Sequence, residues 1–238
     1  GIDIMLALDI STSMRAPDFY PNRMEAARSV AIEFVEARRT DRIGLVIFAG
    51  QAFTQVPLTT DYQYVIRMLE DVRMGIVQDG TAIGNAIAVS TNRLRESDAE
   101  SRVLILLTDG QNNRGEIDPF TAAEVAAALG VRIHAIGIGM TASMLAEEES
   151  AGRAGGPIEV DEDGLRALTG STGGRYFHAR DRDALRNVYA EIDRLERTAI
   201  ETSTEHREYD RFAWLLFPAL GLLFLEVLGA STLFRIWP

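Results

Sequence analysis

The sequence contains no cysteine, which excludes disulfide frameworks, thiolate metal sites, CxxC redox pairs and cysteine nucleophiles. A thiol-free chain is at home on either side of a membrane, so the compartment stays open. Histidine is almost as scarce: His134, His178 and His206 lack ligand spacing and read as ordinary strand and linker residues. Cations are in deficit as well, with 24 Lys and Arg against 35 Asp and Glu, a net charge of -11 and a pI near 4.8. That balance argues against a nucleic-acid surface, which needs clustered basic residues, and makes protein the expected partner. Phosphate-cradling glycine loops, nucleophile elbows and HExxH are also missing.

What is present is an alternation of apolar runs and helical periodicities. Residues 4–8 form a buried strand that surfaces at Asp9. Asn22, with Glu25 three residues later, has capping-box spacing, and Met24, Ala27, Ala31 and Phe34 recur at helical period, so a helix is expected to about residue 39. Residues 41–48 are nearly all apolar, as in a strand covered on both faces, whereas 52–57 alternate and suit a short edge strand. Further helices are expected at 62–69, 83–94, 119–129 and 165–168, and further strands at 103–107, 131–138 and 175–178. A helix-loop excursion with a solvated acidic face spans 140–163. A long amphipathic helix runs from 181 to about 199. This order predicts an α/β fold, a doubly wound, Rossmann-like, mostly parallel sheet with one antiparallel edge strand, and ligands at the carboxyl ends of its strands.

Residues 212–234 differ in kind. Glu226 is the one charged residue in an apolar run flanked by Trp214 and Trp237. At about 1.5 Å per residue the run reaches roughly 35 Å, enough for a hydrocarbon core of about 30 Å. A C-terminal transmembrane helix is therefore expected at 212–234, after a domain at 1–199 and a linker at 200–211. A charge at mid-bilayer costs on the order of 3 kcal/mol, which the surrounding Leu, Phe and Val offset. Flanking charges do not decide orientation. The start at Gly1, directly on a strand, suggests a fragment of something longer.

Three strand-end loops carry the chemistry. Asp9-Ile10-Ser11-Thr12-Ser13 offers a carboxylate and two hydroxyls at alternate positions, although those five residues alone fit a helix-capping turn equally well. Asp79-Gly80-Thr81 and Thr108-Asp109-Gly110 bring further oxygens to the same edge of a parallel sheet. An all-oxygen set suits a small, hard cation. Arg15, Phe19, Tyr20, Gln111, Asn112, Asn113 and Arg114 lie in loops beside it.

With these residues in place, the sequence resembles the von Willebrand factor A-type (VWA) domain family, whose metal ion-dependent adhesion site consists of Asp-x-Ser-x-Ser, a distant Thr and a distant Asp. The motif matches Asp9, Ser11, Ser13, Thr81 and Asp109 without departure. Over 21–29, 41–61, 79–88 and 190–198 the likeness narrows to BatA-type proteins of bacterial aerotolerance operons. The resemblance implies Mg2+, with Mn2+ or Ca2+ as alternatives. The two Ser and the Thr approach the ion, the Asp residues act largely through bound water, and an Asp or Glu of a protein partner completes the shell. It further implies a non-catalytic, membrane-anchored binding module in the bacterial inner membrane with a periplasmic domain. Its implied associates are other Bat-type membrane proteins and a MoxR-type AAA+ ATPase. Two alternatives stand beside this: a Mg2+-dependent hydrolase of the phosphatase type, and a structural membrane-complex subunit with an unoccupied metal site. The phosphatase pattern is Asp-x-Asp-x-Thr, and Ser11 stands where its second Asp, the general acid, belongs.

Overall fold

The computed structural model describes residues 1–110, 112–140 and 160–208, with side chains to residue 197. Strand β1 (Ile2–Asp9) is buried at every position, as its unbroken apolar run requires. It is followed by β2 (Arg42–Phe48), β3 (Ala52–Thr59), β4 (Ser101–Thr108), β5 (Val131–Ile138) and β6 (Tyr176–Ala179). These strands form one sheet in the order β3-β2-β1-β4-β5-β6. β1 pairs in parallel with β2 and β4, β4 with β5, and β5 with β6, whereas β3 runs antiparallel to β2. The expected mixed sheet is thus present. β3 tolerates Pro57 because it is an edge strand, and its register with β2 is irregular.

Helices α1 (Arg23–Glu36), α2 (Tyr62–Asp71), α3 (Ile83–Leu94), α4 (Pro119–Ala128), α5 (Glu162–Ser171) and α6 (Arg182–Glu208) connect and follow the strands. Several start where a short polar side chain meets a free backbone amide. Asn22 Oδ1 accepts from Glu25 N at 2.8 Å, and Asp118 Oδ2 accepts from Thr121 N at 2.9 Å. The reciprocal half of the expected capping box is replaced, since the Glu25 carboxylate pairs with Arg28. On one face of the sheet Met5, Ala7, Phe48, Leu104 and Leu106 pack with Ile83, Ile87 and Ala123 of α3 and α4. Ile4, Leu6 and Leu8, of opposite pleat, serve the other face. There α1 meets α6 through Phe34 and Tyr189, whose ring centroids lie 4.7 Å apart.

By its internal contacts the chain divides into Gly1–Arg194 and Leu195–Pro238, and the described part of the second unit is the last portion of α6. That helix continues through residues 200–208, into the stretch expected as linker, where neither Gly nor Pro interrupts it. Most of the excursion expected at 140–163, and the span expected at 212–234, lie outside the described residues. Among the described residues, no helix is long and apolar enough to cross a membrane.

The chain leaves β1 toward β2 on one side, yet β4 pairs with β1 on the other. Loops from the carboxyl ends of β1 and β4 therefore diverge, and the crevice between them is the sheet's switch point.

Candidate metal centre

Asp9 is the last residue of β1, and Asp109 follows the last residue of β4. The parallel register Leu8↔Leu107 sets these strand ends side by side, and both carboxylates are wholly buried. Asp9 Oδ1 accepts from Ser11 N at 2.9 Å, and Oδ2 accepts from the Thr108 hydroxyl at 2.6 Å. Asp109 Oδ1 accepts from the Ser13 hydroxyl at 2.7 Å, and Oδ2 accepts from Arg23 Nη1 at 2.7 Å. Ser11 Oγ and Ser13 Oγ are 2.9 Å apart. The alternate serines converge because the chain curls into a 3-10 turn at Thr12–Arg15, anchored by the buried Met14. One connected cluster of oxygens results.

Thr81 arrives from the loop between α2 and α3, which is sewn to its neighbours at several points. Gly50 N donates to Gln78 O at 2.8 Å and Ala82 N to Ala49 O at 2.7 Å, tying the loop to the turn after β2. Thr81 N donates to Asn113 Oδ1 at 2.9 Å, and Ile83 N to Asn112 Oδ1 at 2.8 Å, tying it to the loop after β4. Thr81 Oγ1 would lie 3.5 Å from a Cβ placed on Gly110, beside Asp109, so all five expected residues gather at one edge.

Burial first, and then the charge of Asp109, push the Asp9 carboxyl up to about 7. Burial likewise holds Asp109 above its usual range, against the opposing pull of Ser13 and Arg23. Two carboxylates withdrawn from water beside three hydroxyls form a site that a cation would stabilise and a neutral ligand would not. The donors are all hard oxygens, so the residues fit Mg2+, Mn2+ or Ca2+ better than a soft metal. Among the described residues no cluster of three or more His, Cys, Asp and Glu offers a competing site.

The geometry adds residues that the sequence pattern did not single out. Arg23 is completely buried, with Asp18 on one side and Asp109 on the other. Thr108, read only as part of a turn, fixes one oxygen of Asp9. Asp79 accepts from Thr12 N and from the Thr12 hydroxyl, and so joins two of the loops. Asn112 and Asn113 serve as loop ties. Phe19 is 3% exposed, a core residue, whereas Tyr20 beside it is 92% exposed. His134 accepts from Arg175 N, and His178 Nε2 pairs with Gly139 O, so both are structural. Gln111 lies outside the described residues.

The family model for the von Willebrand factor type A domain matches residues 4–111, a span that contains all five residues. A protein of Borreliella burgdorferi with no characterised role is 32% identical over 234 residues, covering 94% of this chain and 68% of its own length. The chain belongs to the von Willebrand factor type A domain family. Among solved VWA relatives, BatB from Bacteroides thetaiotaomicron superposes with a TM-score of 0.69 at 29% identity, covering 83% of this chain and 100% of that one. An aerotolerance-related membrane protein from Bacteroides fragilis gives 0.68 at 26% identity, covering 80% and 98%. The chain spans 59% of a UPF0353 protein of Mycolicibacterium paratuberculosis, to which it is 31% identical. Such relatives are longer than the chain.

Proposed function

We propose that this chain is a membrane-anchored, Mg2+-dependent protein-docking domain in which Asp9, Ser11, Ser13, Thr81 and Asp109 hold the ion. When bound, the ion supplies a hard Lewis acid with a coordination position left for a carboxylate oxygen of a partner. The chain's own residues do the rest. Ser11, Ser13 and Thr81 present hydroxyl oxygens, while Asp9 and Asp109 supply the negative charge that makes the crevice attractive to a divalent cation. Thr108, Ser13 and Arg23 fix the carboxylate orientations. A groove of about 660 Å3, lined in part by Phe53, Gln78, Asn113, Arg114 and Ile117, runs alongside the loop that carries Thr81 and could take the partner's flanking chain.

The observation that carries this reading is the gathering of two buried carboxylates and three hydroxyls at the switch point of the sheet. Calorimetric titration with Mg2+ or Mn2+ tests it. One site is expected, and Asp9→Ala or Ser11→Ala should remove it while far-UV circular dichroism stays native. Normal metal binding by Asp9→Ala would sink the proposal. A hydrolase built on the same loop would need a general acid at position 11, and the Ser11 hydroxyl is not one. Turnover of a generic phosphate ester would reverse that judgement.

By analogy with the Bat-type relatives, the partners proposed for the whole protein are other Bat-type membrane proteins and a MoxR-type AAA+ ATPase. The proposed setting is a bacterial inner membrane, with residues 212–234 as anchor, 200–211 leading into it, and the VWA domain of residues 1–199 on the periplasmic side. Pull-down of the full chain from detergent extracts, with and without EDTA, tests the metal dependence of those contacts. Loss of partners on chelation, reproduced by Asp109→Ala, is the expected result. Unchanged partners under EDTA would favour a structural subunit.

A further inference from the structure

A guanidinium that is 0% exposed is unusual enough to require a reason, because removing its charge from water is costly unless every donor is used. Arg23 is such a group. Its fork closes on Asp18, with Nε 2.8 Å from Oδ1 and Nη2 2.7 Å from Oδ2, which leaves Nη1 to reach Asp109 Oδ2 at 2.7 Å. The space it fills is built for it. Gly139, at the end of β5, has φ +132°, and a Cβ there would lie 2.7 Å from Nη2 and 2.8 Å from Cζ. The backbone of Gly139 is itself held, since its carbonyl pairs with His178 Nε2 from β6 at 2.8 Å.

The consequence falls on Asp109. With Oδ2 occupied by Arg23, the carboxylate cannot rotate, and Oδ1 is the oxygen that meets the Ser13 hydroxyl and the cluster with Ser11. We infer that Arg23 is a positioning residue for the metal site, oriented by Asp18, which selects the Asp109 oxygen presented to the cation. This inference rests on the metal-docking reading above and adds two residues, Arg23 and Asp18, that lie outside the donor set.

Planarity matters here more than charge. A lysine at this position would keep the charge but could not grip Asp18 through two parallel bonds while also reaching Asp109. Partners that orient metal ligands commonly carry a 10- to 100-fold share of affinity, so losses of roughly that size are expected.

The test is Mn2+ binding by the full chain, followed by calorimetry and by the electron paramagnetic resonance signal of free Mn2+. Arg23→Lys, Asp18→Asn and Gly139→Ala are compared with wild type, and metal-free thermal stability is measured in parallel. Arg23→Lys is expected to weaken Mn2+ roughly 10- to 100-fold. Asp18→Asn, in a loop and partly exposed, should give a smaller loss with a native melting profile, and it carries the test if Arg23→Lys fails to fold. A merely structural role predicts lower melting temperatures with unchanged Mn2+ affinity of the folded variants, and that pattern would overturn the inference alone. Absence of Mn2+ binding by the wild type would overturn the metal reading and this inference together.

Discussion

Asp9 loses hydration and meets the charge of Asp109, both of which favour its protonated form, and burial raises the Asp109 carboxyl as well. For Asp9 the carboxyl rises from 3.8 to about 7. Its contribution to metal-free stability is therefore fully present below about pH 4 and is lost as pH rises through about 7. Asp9→Asn removes the ionisation, so the metal-free variant is expected to be more stable than wild type at pH 8 by on the order of 4 kcal/mol. The gap should close toward pH 4. Urea denaturation at the two pH values checks this, and a variant less stable than wild type at pH 8 would contradict it. Asp9, Ser11 and Ser13 stood out in the sequence because alternate spacing at a strand end is a local pattern, whereas Thr81 and Asp109 joined the proposed donor set through the VWA resemblance. Arg23 was not legible: at the first position of a helix it reads as one more surface charge, and its partner Asp109 is remote in sequence. Thr108 escaped for a similar reason, since a hydroxyl in a turn has many uses.

At the scale of elements, α1 and α6 are joined by charge as well as by the Phe34–Tyr189 contact. Glu33 accepts from Arg186 and Arg182, which together hold its carboxyl down to about 2 in spite of some burial. A depressed carboxyl stabilises the fold above its unfolded value near 4.5, and that stability disappears as pH falls through about 2. Glu33→Gln should therefore lower the melting temperature at pH 6 and flatten its dependence between pH 5 and pH 2.5; an unchanged acid limb would show that the pair is idle. A second element-scale expectation concerns α3. Alanine is the better helix former than glycine by about 1 kcal/mol, yet a Cβ at Gly84 would lie 1.9 Å from the Ile117 carbonyl oxygen. The clash outweighs the propensity, so Gly84→Ala should destabilise by about 1–3 kcal/mol in chemical denaturation. Strong periodicity located α3 and β5 closely, whereas the ends of α1, α5 and α6 moved. Capping side chains and neighbouring elements, rather than the apolar stripe, decide where a helix stops.

For the whole molecule, alternation of buried strands with helices was enough to give the sheet its parallel order, because few topologies cover both faces. What alternation does not encode is which loops are sewn together, and here the side-chain oxygens of Asn112, Asn113 and Asp79, accepting from the backbone amides of Ile83, Thr81 and Thr12, decide it. A site assembled from three loops should couple metal to global stability. At a Mg2+ concentration of 100 times Kd, the folded state should gain about 2.7 kcal/mol, a gain that Asp109→Ala should abolish. The anchor is a separate question of solvent. If residues 212–234 span a bilayer, the full chain should stay with the membrane fraction through alkaline carbonate extraction, and a chain ending at residue 208 should be released while still binding metal. Glu226 sharpens the test, because a carboxylate near mid-bilayer opposes insertion by on the order of 3 kcal/mol. Glu226→Leu should therefore strengthen insertion if the residue faces lipid, and disturb recovery of partner proteins if it faces another helix. Release of the full chain by carbonate would remove the anchor and leave the docking domain to act without one.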